Sequence, residues 1–221
     1  NEIKTIEKLL EKVINLEIKK QIIIVDDAST DGTQEYLLAN QNKVDRLICH
    51  EKNLGKGACI QSAQKYINGI YTGIQDADLE YDPNDLKKIV EFMKKNNSDV
   101  VYGSRVLGKN KFENTKNFTH LIRIWGNIFL TIISNFINNH ELTDAHTCYK
   151  VIKSEIFKKI NLYENRFAFC PEITTKLAKK KYKIVEIPIN YSGRTYSEGK
   201  KISSIDGLVA LYTLFKYRFL K

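Results

Sequence analysis

The sequence predicts an α/β protein with a mainly parallel central sheet covered by helices on both faces. Two observations carry that prediction. Short β-branched runs alternate with helix-period segments through the first half of the chain, and acidic or glycine-containing clusters stand where the apolar runs end. A third sets the scale: 221 residues with 43% hydrophobic content make one sizeable core, so a single domain over 1–221 is expected.

In chain order, Ile3, Ile6, Leu9, Leu10, Val13 and Ile14 fall on one stripe of a first helix, with lysines and glutamates between them. Gln21 to Val25 is a buried strand running into Asp26-Asp27-Ala28-Ser29-Thr30-Asp31-Gly32-Thr33, a turn and a helix start. In open α/β sheets ligands bind beyond the C-terminal ends of strands, so Asp27 can accept hydrogen bonds from a nucleobase. The same aspartates equally suit a turn and a helix cap. Val44 to Cys49 is the next strand. Asn53-Leu54-Gly55-Lys56-Gly57 then leads into a helix from Ala58 through about Tyr66, an arrangement that brings backbone N–H groups and the Lys56 ammonium to a phosphate without completing a P-loop. Ile70 to Ile74 is a strand, Pro83 with Leu86, Ile89, Val90 and Met93 marks a helix, and Asp99 to Tyr102 is a strand closed by Gly103-Ser104-Arg105.

The chemistry centres on Ile74-Gln75-Asp76-Ala77-Asp78-Leu79-Glu80. Residues i and i+2 leave an extended chain on the same side, so Asp76 and Asp78 can converge on one hard divalent cation, with Glu80 as a further ligand. Few protein carboxylates leave coordination positions for water and substrate phosphates, which suits Mg²⁺ or Mn²⁺. Asp-x-Asp alone is also a common surface turn.

Net charge of +9 and a pI near 9.2 favour anionic partners: nucleotide phosphates, an acidic membrane surface or nucleic acid. A non-enzymatic basic module binding nucleic acid or membrane would explain the charge but leave the acidic clusters at strand ends unexplained, and the aromatic-basic interleaving of single-strand binders is missing, so nucleic acid is not expected. Cys49, Cys59, Cys148 and Cys170 include no Cys-x-x-Cys pair and read as buried thiols in a reducing compartment. No signal peptide is visible at the start of the sequence.

Phe118 to Ile137 is apolar over most of its circumference but interrupted by Arg123, Asn127, Ser134 and Asn135. Pattern alone leaves two readings open, an amphipathic helix at a bilayer surface or a buried core helix. Lys181 to Asn190 is a late strand. Leu208 to Leu220 mixes Leu, Tyr and Phe with Lys216 and Arg218, as interfacial helices do.

Taken together, Val25 to Thr33, Asn53 to Gly57, Asp76-Ala77-Asp78, Gly103-Ser104-Arg105, Thr143 to Lys150, Phe169-Cys170-Pro171-Glu172 and Tyr191 to Lys201 stand in the order of the family 2 glycosyltransferases of GT-A fold. The later blocks resemble the dolichol-phosphate mannosyltransferase-like branch, and the resemblance spans essentially the whole chain. It implies a GT-A, Rossmann-like fold with a nucleotide- and metal-binding half (1–105) and an acceptor-binding half (106–221) bearing interfacial helices.

The implied reaction is metal-dependent, inverting transfer of a hexose from GDP-mannose or UDP-glucose to polyprenyl phosphate, by an enzyme peripheral to the cytoplasmic membrane face. A relative acting on a hydroxyl acceptor is the alternative. The resemblance assigns Asp76, Asp78 and Glu80 to the metal, Mg²⁺ or Mn²⁺. Glu2, Asp27, Lys56, Asp76, Arg194, Lys200 and Lys201 go to the nucleotide sugar, with Asp27 on the base. Arg105, Arg123 and Asn127 go to the acceptor, and Asp144 positions the acceptor or acts as base. Arg194, Lys200 and Lys201, around Gly193 and Gly199, suggest a lid over the diphosphate. In that family a further strand, lying centrally in the sheet, precedes the point at which this sequence opens. Its absence leaves backbone groups of neighbouring strands unpaired, at about 1–3 kcal/mol for each buried group.

Overall fold

The computed structural model describes residues 1–108, 118–194 and 204–220, with side chains omitted at 118–123 and at 204. Its elements, in order, are α1 (Ile3–Ile14), β1 (Ile23–Asp26), α2 (Thr33–Ala39), a 3₁₀ turn (Gln41–Lys43), β2 (Arg46–Cys49), α3 (Lys56–Gln64), β3 (Tyr71–Gly73), α4 (Pro83–Asn96), β4 (Val100–Ser104), α5 (Phe118–Asn138), β5 (Lys150–Lys153), α6 (Ser154–Lys158), α7 (Phe169–Lys179), β6 (Ile184–Pro188), α8 (Ser204–Phe215) and a π-helical turn (Lys216–Leu220). The α/β class and the strand–helix alternation of the first half follow the prediction. Pairing is mixed rather than mainly parallel. β1 and β2 form a parallel pair, while β3, β5, β4 and β6 form a four-stranded sheet in that order, with β5 antiparallel to both neighbours.

Local chemistry explains the element ends. α4 starts where Asp82 accepts a hydrogen bond from Asn84 N at 3.1 Å and Pro83 pre-sets the first turn, and it ends at Asn97, whose φ of 47° is left-handed. Its inner face buries Ile89 and Met93. β4 is buried along its whole length, because α4 covers one face and the α6–α7 region the other. On the α7 side Tyr102, Ile152, Phe157, Phe169, Ile173 and Leu177 pack together; on the α4 side Tyr81, Val101, Tyr149, Val151 and Ile189 do so.

Between the two sheets runs one cavity of about 2130 Å³, lined by β1 residues Ile23, Ile24 and Val25 and by β3 residues Tyr71, Thr72 and Gly73. Among the described residues no strand pairs with the second edge of β1 or of β3. The sheet is therefore interrupted at the place where the family resemblance puts a further central strand.

The cavity continues past the C-terminal ends of β1 and β3. There it meets Glu2, Asp76, Asp78, Arg105, Asp144 and Arg194, so the fold gathers the predicted polar residues at one sheet edge.

Candidate active site

The acidic turn comes first. β3 ends at Gly73, and Asp76 and Asp78 lie in the turn that follows, where Leu79 takes a φ of 58°. The extended-chain geometry expected to align the two aspartates is therefore replaced by a tight turn, which brings Asp78 Oδ1 to accept from Glu80 N at 3.1 Å. α1 braces this turn from outside, since Thr5 Oγ1 donates to Ala77 O at 2.8 Å. The same helix start delivers Glu2, whose own N–H donates to Thr33 Oγ1 at 2.8 Å.

Desolvation, together with the charges of Asp76 and Glu80, raises the pKa of Asp78 to about 6. Burial pushes Asp76 up as well, but the Lys56 ammonium in contact with it outweighs burial and holds it below the ordinary range. Asp76 and Asp78 supply hard carboxylate oxygens, the donor type Mg²⁺ or Mn²⁺ takes, and two such side chains leave coordination positions for substrate phosphates.

Glu80, predicted as a further metal ligand, also links two segments of the site. Its carboxylate accepts from Tyr191 O–H at 2.7 Å and from Arg194 N at 2.8 Å, tying the segment after β6 to the acidic turn. Arg194 lies across the cluster, with Nη1 and Nη2 at 2.8 and 3.0 Å from the two Glu2 oxygens and Nη2 at 3.3 Å from Asp78 Oδ2.

The Gly-Lys-Gly segment serves a different purpose from the phosphate cradle read from its sequence. Gly55 has a φ of +100°, and a Cβ there would lie 2.5 Å from Asn165 O; at Gly57 it would lie 1.9 Å from Glu164 O. The glycines let α3 press against the 164–165 backbone, where Ala58 N donates to Asn165 O at 3.0 Å. Lys56 meets Asp76 and lies 3.0 Å from Cys148 Sγ, so it neutralises a carboxylate rather than standing free for a phosphate.

Asp27 is likewise committed. Its oxygens accept from Leu54 N at 2.9 Å and Gly55 N at 2.7 Å, and one lies 2.7 Å from His50 Nδ1, whose Nε2 is 2.9 Å from Ser62 Oγ. Burial raises its pKa, yet these hydrogen bonds hold it below the ordinary value. The carboxylate expected to accept hydrogen bonds from the base also fixes the 53–55 loop. Asp27, His50 and Cys59 are also the one group of three metal-capable side chains, among the described residues, with ligand atoms within 4.8 Å of one another. Burial and the Asp27 charge push the Cys59 thiol up to about 12, so it stays a neutral hydrogen-bonding group in a network that is already satisfied.

Asp144, expected to position the acceptor or act as base, is committed to neighbouring side chains. It is fully buried and accepts from Arg105 Nε at 2.7 Å, Arg105 Nη2 at 2.8 Å, Arg105 N at 3.1 Å and Asn127 Nδ2 at 3.1 Å. Burial alone would raise its pKa; the Arg105 guanidinium overrides it and holds the carboxyl below its usual range. So occupied an anion is a poor base, and its role is to orient Arg105 and Asn127. Glu186 on β6 supports the arrangement, accepting from Thr143 N at 2.6 Å and Asp144 N at 2.9 Å. Nothing in the sequence around Glu186 pointed to this role. His146 is neutral: desolvation lowers its pKa to about 4, and its buried Nε2 has no hydrogen-bond partner among the described residues.

Arg123 falls on α5, but its side chain lies outside the described residues, as do Lys200 and Lys201 entirely. Of the predicted lid, Arg194 to Lys201, only Arg194 is among the described residues. α5 itself packs on α7 and α8; its Thr131, Ser134, Ile137 and Asn138 are buried, and Asn138 Nδ2 donates to Thr175 Oγ1 of α7 at 3.2 Å. Its opposite stripe, Trp125, Phe129, Ile132 and Phe136, is exposed, Phe136 at 89%. α8 and the π-helical turn expose Leu208, Tyr212, Phe215 and Phe219 at matching helical spacing. No helix among the described residues is long and apolar enough to cross a membrane.

Residues 1–161 match the model of the family described as glycosyl transferase family 2. An uncharacterized protein of Methanocaldococcus jannaschii is 30% identical over 97% of this chain and 87% of its own length. A dolichyl-phosphate beta-glucosyltransferase of Trichomonas vaginalis is 28% identical, over 96% of this chain and 68% of its own. A dolichol-phosphate mannosyltransferase of Pyrococcus furiosus is 28% identical, over 90% of this chain and 56% of its own.

Among solved structures, glucosyl-3-phosphoglycerate synthase of Mycobacterium tuberculosis, in complex with Mn²⁺, UDP and glucosyl-3-phosphoglycerate, superposes with a TM-score of 0.69. It covers 99% of this chain and 76% of its own at 14% identity, and so shares the fold. The chain belongs to glycosyl transferase family 2, is a glycosyltransferase of GT-A fold, and falls with the dolichol-phosphate branch of that family.

Proposed function

We propose that the protein is a metal-dependent, inverting hexosyltransferase that moves mannose or glucose from a nucleotide sugar to a polyprenyl phosphate at a membrane surface. The observation that carries this reading is the joint placement of acidic and cationic side chains, Glu2, Asp76 and Asp78 with Arg105 and Arg194, on one cavity at the strand ends. Relatives named for dolichyl-phosphate transfer support the acceptor class, and fold neighbours in complex with Mn²⁺ support the metal.

Asp76 and Asp78 are the residues that would hold the ion. Bound there, it would supply Lewis-acid neutralisation of the departing diphosphate. Lys56 keeps Asp76 ionised, and Arg194 offers a guanidinium to the diphosphate. Arg105, locked in orientation by Asp144, binds the acceptor phosphate, with Asn127 beside it. The acceptor oxygen is already anionic at neutral pH, so its attack on the anomeric carbon requires no protein base. Asp144, saturated by its partners, agrees with that economy. The exposed stripes of α5 and α8, on a chain of net charge +9, would rest on anionic lipid and bring a lipid-linked acceptor to the cavity. Four free cysteines support a reducing, cytoplasmic setting.

The test is transfer from GDP-mannose and from UDP-glucose, each with and without Mn²⁺, to polyprenyl phosphate in vesicles. A lipid-phosphate sugar product formed only with metal is expected. Transfer solely to soluble hydroxyl acceptors would overturn the acceptor class, and undiminished transfer in chelator would overturn metal dependence.

A further inference from the structure

We propose that Arg194 is an exchangeable internal cation: it neutralises the acidic cluster in the metal-free protein and passes to the nucleoside diphosphate when a divalent ion takes its place. This rests on the metal-site reading above.

Arg194 occupies the space a metal's charge would fill. Its guanidinium makes two hydrogen bonds to Glu2 and reaches Asp78 at 3.3 Å, while Nε stands 3.7 Å from Glu80 Oε1. A divalent ion on Asp78 would therefore meet a like charge at contact distance.

The guanidinium is also incompletely satisfied. Its Nε is buried and, among the described residues, has no hydrogen-bond partner, which leaves one donor for which a phosphate oxygen is a natural acceptor.

Moreover, the residue is anchored by its backbone. Arg194 N donates to Glu80 Oε1 at 2.8 Å, Ser192 N to Glu80 O at 2.9 Å and Tyr191 O–H to Glu80 Oε2 at 2.7 Å. Rotation of the side chain alone can therefore move the charge from the carboxylates to an arriving diphosphate, with the main chain in place. Glu80 acts as the anchor of this device.

The two roles predict effects of opposite sign, which a merely structural arginine would not produce. Mn²⁺ binding to the full chain, read by the paramagnetic resonance of free Mn²⁺, is compared for wild type, Arg194→Gln, Arg194→Lys and Asp78→Asn. GDP and UDP binding in saturating Mn²⁺ are then measured by calorimetry. Arg194→Gln should bind Mn²⁺ alone about tenfold more tightly and the nucleoside diphosphate about tenfold more weakly, while Arg194→Lys, which keeps the charge, stays near wild type for Mn²⁺.

If Arg194→Gln binds Mn²⁺ no better than wild type while Asp78→Asn loses it, the exchange is refuted and the metal site stands. If Asp78→Asn binds Mn²⁺ as well as wild type does, the metal site itself is refuted, and the exchange with it. Should Arg194→Gln prove unfolded by circular dichroism, Arg194→Met is titrated in its place with the same two expectations.

Discussion

Arg105 and Asp144 form a two-pronged ion pair, Nε to Oδ2 at 2.7 Å and Nη2 to Oδ1 at 2.8 Å, with the carboxylate fully shielded from solvent. Removing one member of a buried pair strands the other charge, which costs about 3–5 kcal/mol. Asp144→Ala should therefore lower unfolding free energy by about that amount, read from urea denaturation. Arg105→Lys, which cannot make both bonds, should fall in between. A loss under 1 kcal/mol for Asp144→Ala would show that the pair does not hold the loop.

His146 makes stability depend on pH. Its folded pKa, about 4, lies below the ordinary 6.5 because burial disfavours the imidazolium, so the unfolded chain takes up the proton first as pH falls. Its contribution is fully present above pH 6.5 and is lost between about 6.5 and 4, by about 2–3 kcal/mol. Other groups titrate in that window, so the informative quantity is the difference between wild type and His146→Gln. The variant should lose less stability between pH 7 and pH 4, and parallel pH profiles would remove His146 as the cause.

The exposed stripes of α5 and α8 predict membrane affinity separable from folding. Trp125→Ser combined with Phe136→Ser removes side chains that are 67% and 89% exposed, so the melting temperature should change little. Co-sedimentation with anionic vesicles should drop by about tenfold or more, since each large apolar group contributes about 1.5 kcal/mol or more when buried in lipid. Unaltered sedimentation would remove this face as the docking surface.

The open edges of β1 and β3 predict uneven backbone protection. Among the described residues, amides of Ile23–Asp26 pair on one edge only, whereas β4 is paired on both edges and buried throughout. Hydrogen exchange of this chain should be markedly faster in β1 and β3 than in Val100–Ser104. Equal protection would mean that the facing edges are covered.

The sequence by itself determined the elements and the polar clusters at their ends. Strand against helix is a matter of apolar period, and Asp82-Pro83 starts α4 through bonds within one turn, so both are written locally. The aspartates after β3, Arg105 after β4 and the apolar run from Phe118 were legible for the same reason.

Only the tertiary structure decided what each charge meets. Glu2 and Arg194 are 192 residues apart, Arg105 and Asp144 are 39 apart, and Lys56 reaches Asp76 only because α3 and the turn after β3 border one cavity. Gly55 and Gly57 resemble a phosphate loop in sequence, yet their missing Cβ atoms make room for the 164–165 backbone, a neighbour that no local pattern announces. The antiparallel course of β5 and the gap between β1 and β3 were equally hidden. Local preference sets which conformation a segment takes, whereas partner choice for a carboxylate or a strand edge depends on which distant group the closed chain brings within a few ångströms.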